Sequence, residues 1–167
     1  MSIVLVGLMG SGKSTVGKLL ASRLSLSFVD LDERIVAKQG KSIPQIFEQD
    51  GEAAFRAMES QTLEEALQAQ DSIVATGGGA ILSEHNRELM QQAGQVIWLD
   101  ASPTELASRI SGDGNRPLLN GADPLFKMIT LATQRNPLYA EAADLRIDTG
   151  SMNTKEAVDT IADFLSV

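Results

Sequence analysis

The chain has 167 residues, carries 14 Lys+Arg against 22 Asp+Glu for a net charge of −8, and contains no cysteine and one histidine, His85. Its length predicts a single domain over residues 1–167, with core enough to fold without disulfides or a structural metal. The absent cysteines exclude disulfide frameworks, cysteine-held metal clusters and thiol catalysis; the lone histidine argues against a multi-histidine metal centre, and the acidic balance repels nucleic acid and anionic membranes.

At the N-terminus, MSIVLVGLMG lacks early positive charge and is cut by Gly7 and Gly10, unlike a signal peptide. No apolar run reaches the ~18 residues of a membrane span, so a cytoplasmic protein is expected. Ile3–Val6 is a short β-branched strand. Gly7-Leu-Met-Gly-Ser-Gly12-Lys13-Ser14 then matches G-x-x-x-x-G-K-[ST] between that strand and a helix over 14–24. Glycines let the backbone curl so that N–H groups converge on phosphate oxygens, and the helix N-terminus adds its positive dipole end. Lys13 can bridge β- and γ-phosphates, and the Ser14 hydroxyl can ligate Mg²⁺. The helix spaces Val16, Leu19, Leu20 and Leu24 on one face.

A second strand, Ser27–Val29, ends in Asp30-Leu31-Asp32. If extended geometry persists, both carboxylates face the crevice beyond the strand, one toward a magnesium-bound water and one toward an attacking hydroxyl. The alternative is an acidic pair capping a helix that begins near Glu33. Residues 51–70 form a long amphipathic helix with Phe55, Met58, Thr62, Ala66 and Ala69 near one face. Ser72–Thr76 is a third strand, closed by Gly77-Gly78-Gly79, whose ordering cost argues for a functional reason.

A helix over 84–93 leads to a fourth strand, Gln95–Leu99, followed by Asp100, which either contributes to a magnesium shell or caps the next helix. That helix, 103–110, opens with Pro103 after the N-cap candidate Ser102. The stretch 111–124 holds three glycines, two prolines and two asparagines and reads as a loop. A helix to about Asn136, a fifth strand at Leu145–Asp148 and a final helix with Val158, Ile161, Ala162 and Leu165 on one face complete the chain. Five apolar runs separated by helices imply an α/β fold: three αβα layers around a five-stranded parallel sheet. The N-K-x-D and D-x-x-G patterns of translational GTPases are absent, which leaves adenine nucleotide and small-molecule phosphoryl transfer as the leading class.

Six segments together (Gly7–Ser14, Asp30-Leu-Asp32, Phe55-Arg56-Ala-Met-Glu59, Gly77–Gly79, Arg116-Pro117-Leu-Leu and Arg135-Asn-Pro-Leu-Tyr139) resemble shikimate kinase, in order and along essentially the whole chain. The resemblance implies a nucleoside-monophosphate-kinase-like P-loop fold with a mobile lid at about 111–124 and a substrate region at about 31–60. It implies transfer of the ATP γ-phosphoryl group to the 3-hydroxyl of shikimate, with ADP as product, Mg²⁺ as cofactor and a monomer as the working unit. By the same resemblance, Gly10, Ser11, Gly12, Lys13, Ser14, Thr15, Arg109 and Arg116 bind ATP, with Arg109 stacking on adenine and Arg116 arriving on the lid. Ser14 and, through water, Asp30 serve the metal; Arg56 and Arg135 clamp the shikimate carboxylate, beside Gly77, Gly78 and Gly79. Asp32 binds ring hydroxyls and takes the reacting proton, and Glu59 orients the shikimate-binding arginine. Paired guanidiniums suit a carboxylate and overcome the repulsion of an acidic surface. The alternatives are a kinase for another small hydroxy acid such as gluconate and a non-catalytic nucleotide-binding relative.

Overall fold

Strands form where the sequence places its short apolar runs: β1 (Ser2–Val6), β2 (Ser27–Asp30), β3 (Ser72–Ala75), β4 (Gly94–Asp100) and β5 (Leu145–Asp148). In the computed structural model, which describes residues 1–69, 71–110 and 123–166, they pair in parallel in the order β2-β3-β1-β4-β5. The central strands β1 and β3 are buried along their whole length, whereas the edge strands β2 and β5 are only partly covered. That gradient is why β1 and β3 carry no charged residue while the edges admit Asp30, Arg146 and Asp148.

The helices are α1 (Lys13–Leu24), α2 (Leu31–Gln39), α3 (Ile43–Asp50), α4 (Glu52–Gln68), α5 (Glu84–Ala93), α6 (Pro103–Ile110), α7 (Pro124–Ala142) and α8 (Thr154–Phe164), with a 3₁₀ turn at Ala80–Leu82. The period of two along β1 sorts them into layers. Ile3 and Leu5 join a core with Val16 and Leu20 of α1 and Val158 and Ile161 of α8. Val4 and Val6 point to the opposite core, with Leu63 of α4, Met90 of α5, Leu106 of α6 and Tyr139 of α7. A smaller cluster of Ile35, Ile46 and Phe55 ties α2 and α3 to α4. No described helix is long and apolar enough to cross a membrane.

Several sequence expectations need correction. The buried face of α1 is Val16, Gly17, Leu20 and Ala21, and Leu19 is 44% exposed. A Cβ on Gly17 would lie 2.4 Å from the Phe28 ring, so the helix seats on its smallest residues and Leu19 turns outward. Ala69 is exposed at the end of α4. The helix predicted to stop near Asn136 runs through Pro137 to Ala142. Proline removes one backbone donor there, but burial of Tyr139 and Ala142 carries the helix past it. Helix α3 was not anticipated, although Ser42 and Gln45 form a capping box around Pro44. Residues 111–122 of the expected lid, Arg116 among them, lie outside the described residues.

Candidate active site

Because the strands are parallel, their C-terminal ends share one edge of the sheet, and the loops leaving them meet in a crevice. A cleft of about 840 Å³ opens there, lined by Gly10, Gly12–Thr15, Asp30, Asp32, Thr76, Gly77, Gly78 and Arg109. Its outer wall is Val36 and Ala37 of α2 with Ser42, Ile43 and Pro44.

The floor is the loop between β1 and α1. Gly7, Gly10 and Gly12 have φ of 150°, 82° and 96°, values that side chains other than glycine rarely tolerate. Gly12 also stands at the N-cap of α1 and offers no side-chain oxygen, so the first N–H groups of the helix remain for an anion. By contrast, Asp30, Ser42, Ser83, Asp123 and Asn153 cap α2, α3, α5, α7 and α8 with side-chain oxygens. Lys13 Nζ donates to the carbonyls of Gly7 (2.6 Å) and Leu8 (3.0 Å), which holds its charge over the loop.

Both proposed roles for the acidic pair find partial support. The strand ends at Asp30, whose Oδ1 accepts from the Glu33 amide as the N-cap of α2, and Asp32 sits in the first helical turn. The extended geometry expected through Asp32 is therefore absent, because the cap turns the chain into a helix one residue earlier. Yet both carboxylates line the cleft. The Ser14 hydroxyl donates to Asp30 Oδ2 at 2.5 Å, bringing two hard oxygen donors together beside the phosphate loop.

Charged side chains from three helices surround the triple glycine after β3. A Cβ on Gly77 would lie 2.8 Å from Glu59 Oε2 and 2.9 Å from Asp32 Oδ1. One on Gly78 would lie 3.3 Å from Arg135 Nη1, and one on Gly79 only 2.4 Å from Arg56 Nη1. A larger residue at Gly77 or Gly79 would displace a carboxylate or the Arg56 guanidinium, whereas at Gly78 the Arg135 guanidinium need give by only a few tenths of an ångström. Of these groups Asp32, Gly77 and Gly78 line the cleft, whereas Arg56 and Arg135 pack against Gly79 and Gly78 and are not part of its lining. Arg56 Nη1 donates to Glu59 Oε1 at 2.9 Å, and its guanidinium lies 5.4 Å from the Phe55 ring centre.

Glu59 is 1% exposed, and its Oε2 has no hydrogen-bond partner among the described residues. Burial raises the Glu59 pKa, with the Arg56 charge and hydrogen bond pulling it back. Arg135 is 3% exposed, and its Nε also has no partner among the described residues. Burial lowers its pKa, opposed chiefly by Tyr139, yet a guanidinium stays charged at neutral pH. A buried guanidinium with an unbonded donor is unfavourable until an acceptor meets it.

Arg109 is exposed yet tethered: it donates to the Gly10 carbonyl at 3.1 Å and to the Thr149 carbonyl at 3.0 Å. Asp100 does not supply the expected cap of α6. Its Oδ2 accepts from Arg146 Nε at 2.9 Å, and Ser102 Oγ supplies the cap of α6. Arg146 is the outward residue opposite Trp98 on β5, so strand pairing claimed the carboxylate. Thr76, whose hydroxyl donates to the Leu5 carbonyl, is a lining residue not named from the sequence; the Ser42–Pro44 wall falls within the expected substrate region at 31–60, though none of its residues was singled out.

Comparison with known proteins gives the chain's family. The shikimate kinase family model matches residues 9–166. A shikimate kinase of Symbiobacterium thermophilum is 46% identical over 167 residues, covering 99% of this chain and 96% of that protein. One of Bordetella avium is 51% identical over 150 residues, covering 90% of this chain and 72% of that protein. The solved structure of the Acinetobacter baumannii shikimate kinase in complex with shikimate superposes with a TM-score of 0.95 at 40% identity, covering 99% of this chain and 93% of that one.

Proposed function

This chain belongs to the shikimate kinase family, and we propose from that membership how its cleft divides the transfer of the ATP γ-phosphoryl group to the 3-hydroxyl of shikimate. The protein is a kinase that phosphorylates shikimate at the expense of ATP. The observation that carries the division of labour is the meeting of Asp32, Glu59, Arg56 and Arg135 around Gly77–Gly79, at one end of the cleft whose other end is the phosphate loop.

Gly10–Thr15 cradle the phosphates with backbone N–H groups, and Lys13 exchanges its loop carbonyls for phosphate oxygens. Arg109, fixed to Gly10, contacts the base of the nucleotide. Arg56 and Arg135 grip the carboxylate of shikimate, the former aimed by Glu59. Asp32, at the cleft face of α2, binds ring hydroxyls and accepts the proton of the attacking 3-hydroxyl. Arg116, matched by its Arg-Pro-Leu-Leu segment, meets charge on the transferred group.

The hydroxyl of Ser14 and carboxylate of Asp30 fit Mg²⁺, which usually takes few protein oxygens; when bound it neutralises charge on the β- and γ-phosphates. Most of the rate enhancement then comes from orientation and electrostatics. The whole chain works as one kinase domain.

The test is ADP release with Mg²⁺ and ATP, alone and with shikimate or gluconate. Release that depends on shikimate is expected. Release driven equally by gluconate, or no response to either acid, overturns the assignment of the acceptor end.

A further inference from the structure

The carbonyls of the triple glycine are each bound by a donor, but not by the same kind. Those of Gly77 and Gly79 accept from Ala80 N and Leu82 N, both at 3.1 Å, within the 3₁₀ turn that the segment itself makes. The carbonyl of Gly78 accepts instead from a side chain 61 residues away, the Tyr139 hydroxyl, at 2.5 Å. Three consecutive glycines are the most costly residues to order, so a tie from outside the turn has a disproportionate effect on its shape.

Tyr139 is itself held rigid. It is 1% exposed and stacks on Trp98 with ring centres 5.8 Å apart. It also lies one helical turn beyond Arg135 on the same face of α7, and a Cβ on Gly78, the residue its hydroxyl binds, would lie 3.3 Å from Arg135 Nη1. A phenylalanine would fill the same core volume without burying a hydroxyl, whose desolvation is unfavourable unless it is bonded. The one oxygen that distinguishes the two residues is bonded to Gly78, the glycine against which the Arg135 guanidinium packs.

We infer that Tyr139 is a positioning residue for the acceptor: its hydroxyl fixes the Gly78 backbone and the Arg135 guanidinium in the arrangement that receives the shikimate carboxylate. The inference rests on the reading of this corner as the shikimate site. The Tyr139 hydroxyl donates to the triple-glycine turn and not to the phosphate loop, so its effect is expected on acceptor binding.

The deciding experiment is steady-state kinetics of Tyr139→Phe, with Trp98→Phe as control for loosening the ring stack while keeping the hydroxyl. Tyr139→Phe is expected to raise KM for shikimate about tenfold, with KM for ATP within about twofold and kcat changed less than KM. Trp98→Phe is expected to lower Tm but hold KM for shikimate within about twofold. A second measurement needs no substitution that could unfold the protein. Tyr139 is the chain's one tyrosine, so 3-fluorotyrosine labelling places a single ¹⁹F probe there. Its resonance should shift on adding shikimate and far less on adding ADP. An unchanged KM in Tyr139→Phe, an equal KM rise in Trp98→Phe, or a resonance indifferent to shikimate overturns the inference. If the unaltered protein releases no ADP in response to shikimate, the site reading fails and the inference with it; if it does respond, those three results refute the inference alone.

Discussion

The two ends of the cleft are built on opposite principles. The phosphate end is a backbone device: nine consecutive residues, Gly7–Thr15, curl through three positive-φ glycines and present amides at the uncapped start of α1. The proposed acceptor end is a side-chain device, assembled from Asp32 on α2, Arg56 and Glu59 on α4 and Arg135 on α7 around a turn that has no side chains of its own. Backbone amides are the same in every residue, so the first design suits an oxyanion common to all nucleotides. The second places particular charges at particular points, which is what discriminating one small acid from another requires.

If the two ends are separable, substitutions at one should leave the other's constants alone. The largest effect is expected on the phosphate side. Arg116→Ala should lower kcat by about 10³–10⁵ while shikimate affinity stays nearly unchanged, and an equal loss in both, measured by steady-state kinetics and shikimate titration, would move Arg116 to the acceptor side. Next, Arg135→Ala should raise KM for shikimate on the order of 10²-fold, since it also leaves buried partners without their charge, and KM for ATP should hold. An ATP defect of similar size would mean the two ends are coupled. Gly79→Ala should raise KM for shikimate about tenfold by pushing the Arg56 guanidinium aside, and a shikimate complex of that variant with Arg56 unmoved would contradict this.

The smallest effect is on stability. Burial raises the Glu59 pKa above its ordinary value of 4.5, so the ionised form destabilises the fold at high pH and this is relieved as pH falls through the folded-state pKa toward 4.5. Glu59→Gln, uncharged throughout, should therefore gain on the unaltered protein at pH 8 and lose that advantage near pH 4.5. Denaturant melts of both proteins across that range check the sign, and the opposite trend would show that the Arg56 pair outweighs the burial.

The same contrast explains how much could be read in advance. Gly7–Ser14 is a contiguous pattern with its strand before and its helix after, so its chemistry is local and visible. Arg56 and Arg135 lie 79 positions apart, and each alone resembles an ordinary helix arginine; only their place in a family pattern singled them out. Local periodicity located all five strands within a residue or two at their ends but misjudged Leu19, because helix seating depends on the neighbouring Phe28. It also halted α7 at Pro137, because a single missing donor weighs less than the burial of the turn beyond it. Asp100 was read from its nearest cap, and its partner Arg146 came from the strand alongside.

By itself the sequence determined the layered α/β architecture, the phosphate loop and the acidic pair that follows β2, since each depends on residues within one or two turns of one another. Tertiary structure alone decided that Asp32 belongs to a helix face and that the triple glycine is a socket for four charged groups. It alone decided too that Tyr139 ties that socket to the core. The physical reason is range: dihedral preference, capping and periodicity act over a few residues, whereas a buried charge or hydroxyl takes the partner that packing delivers, however distant in the chain.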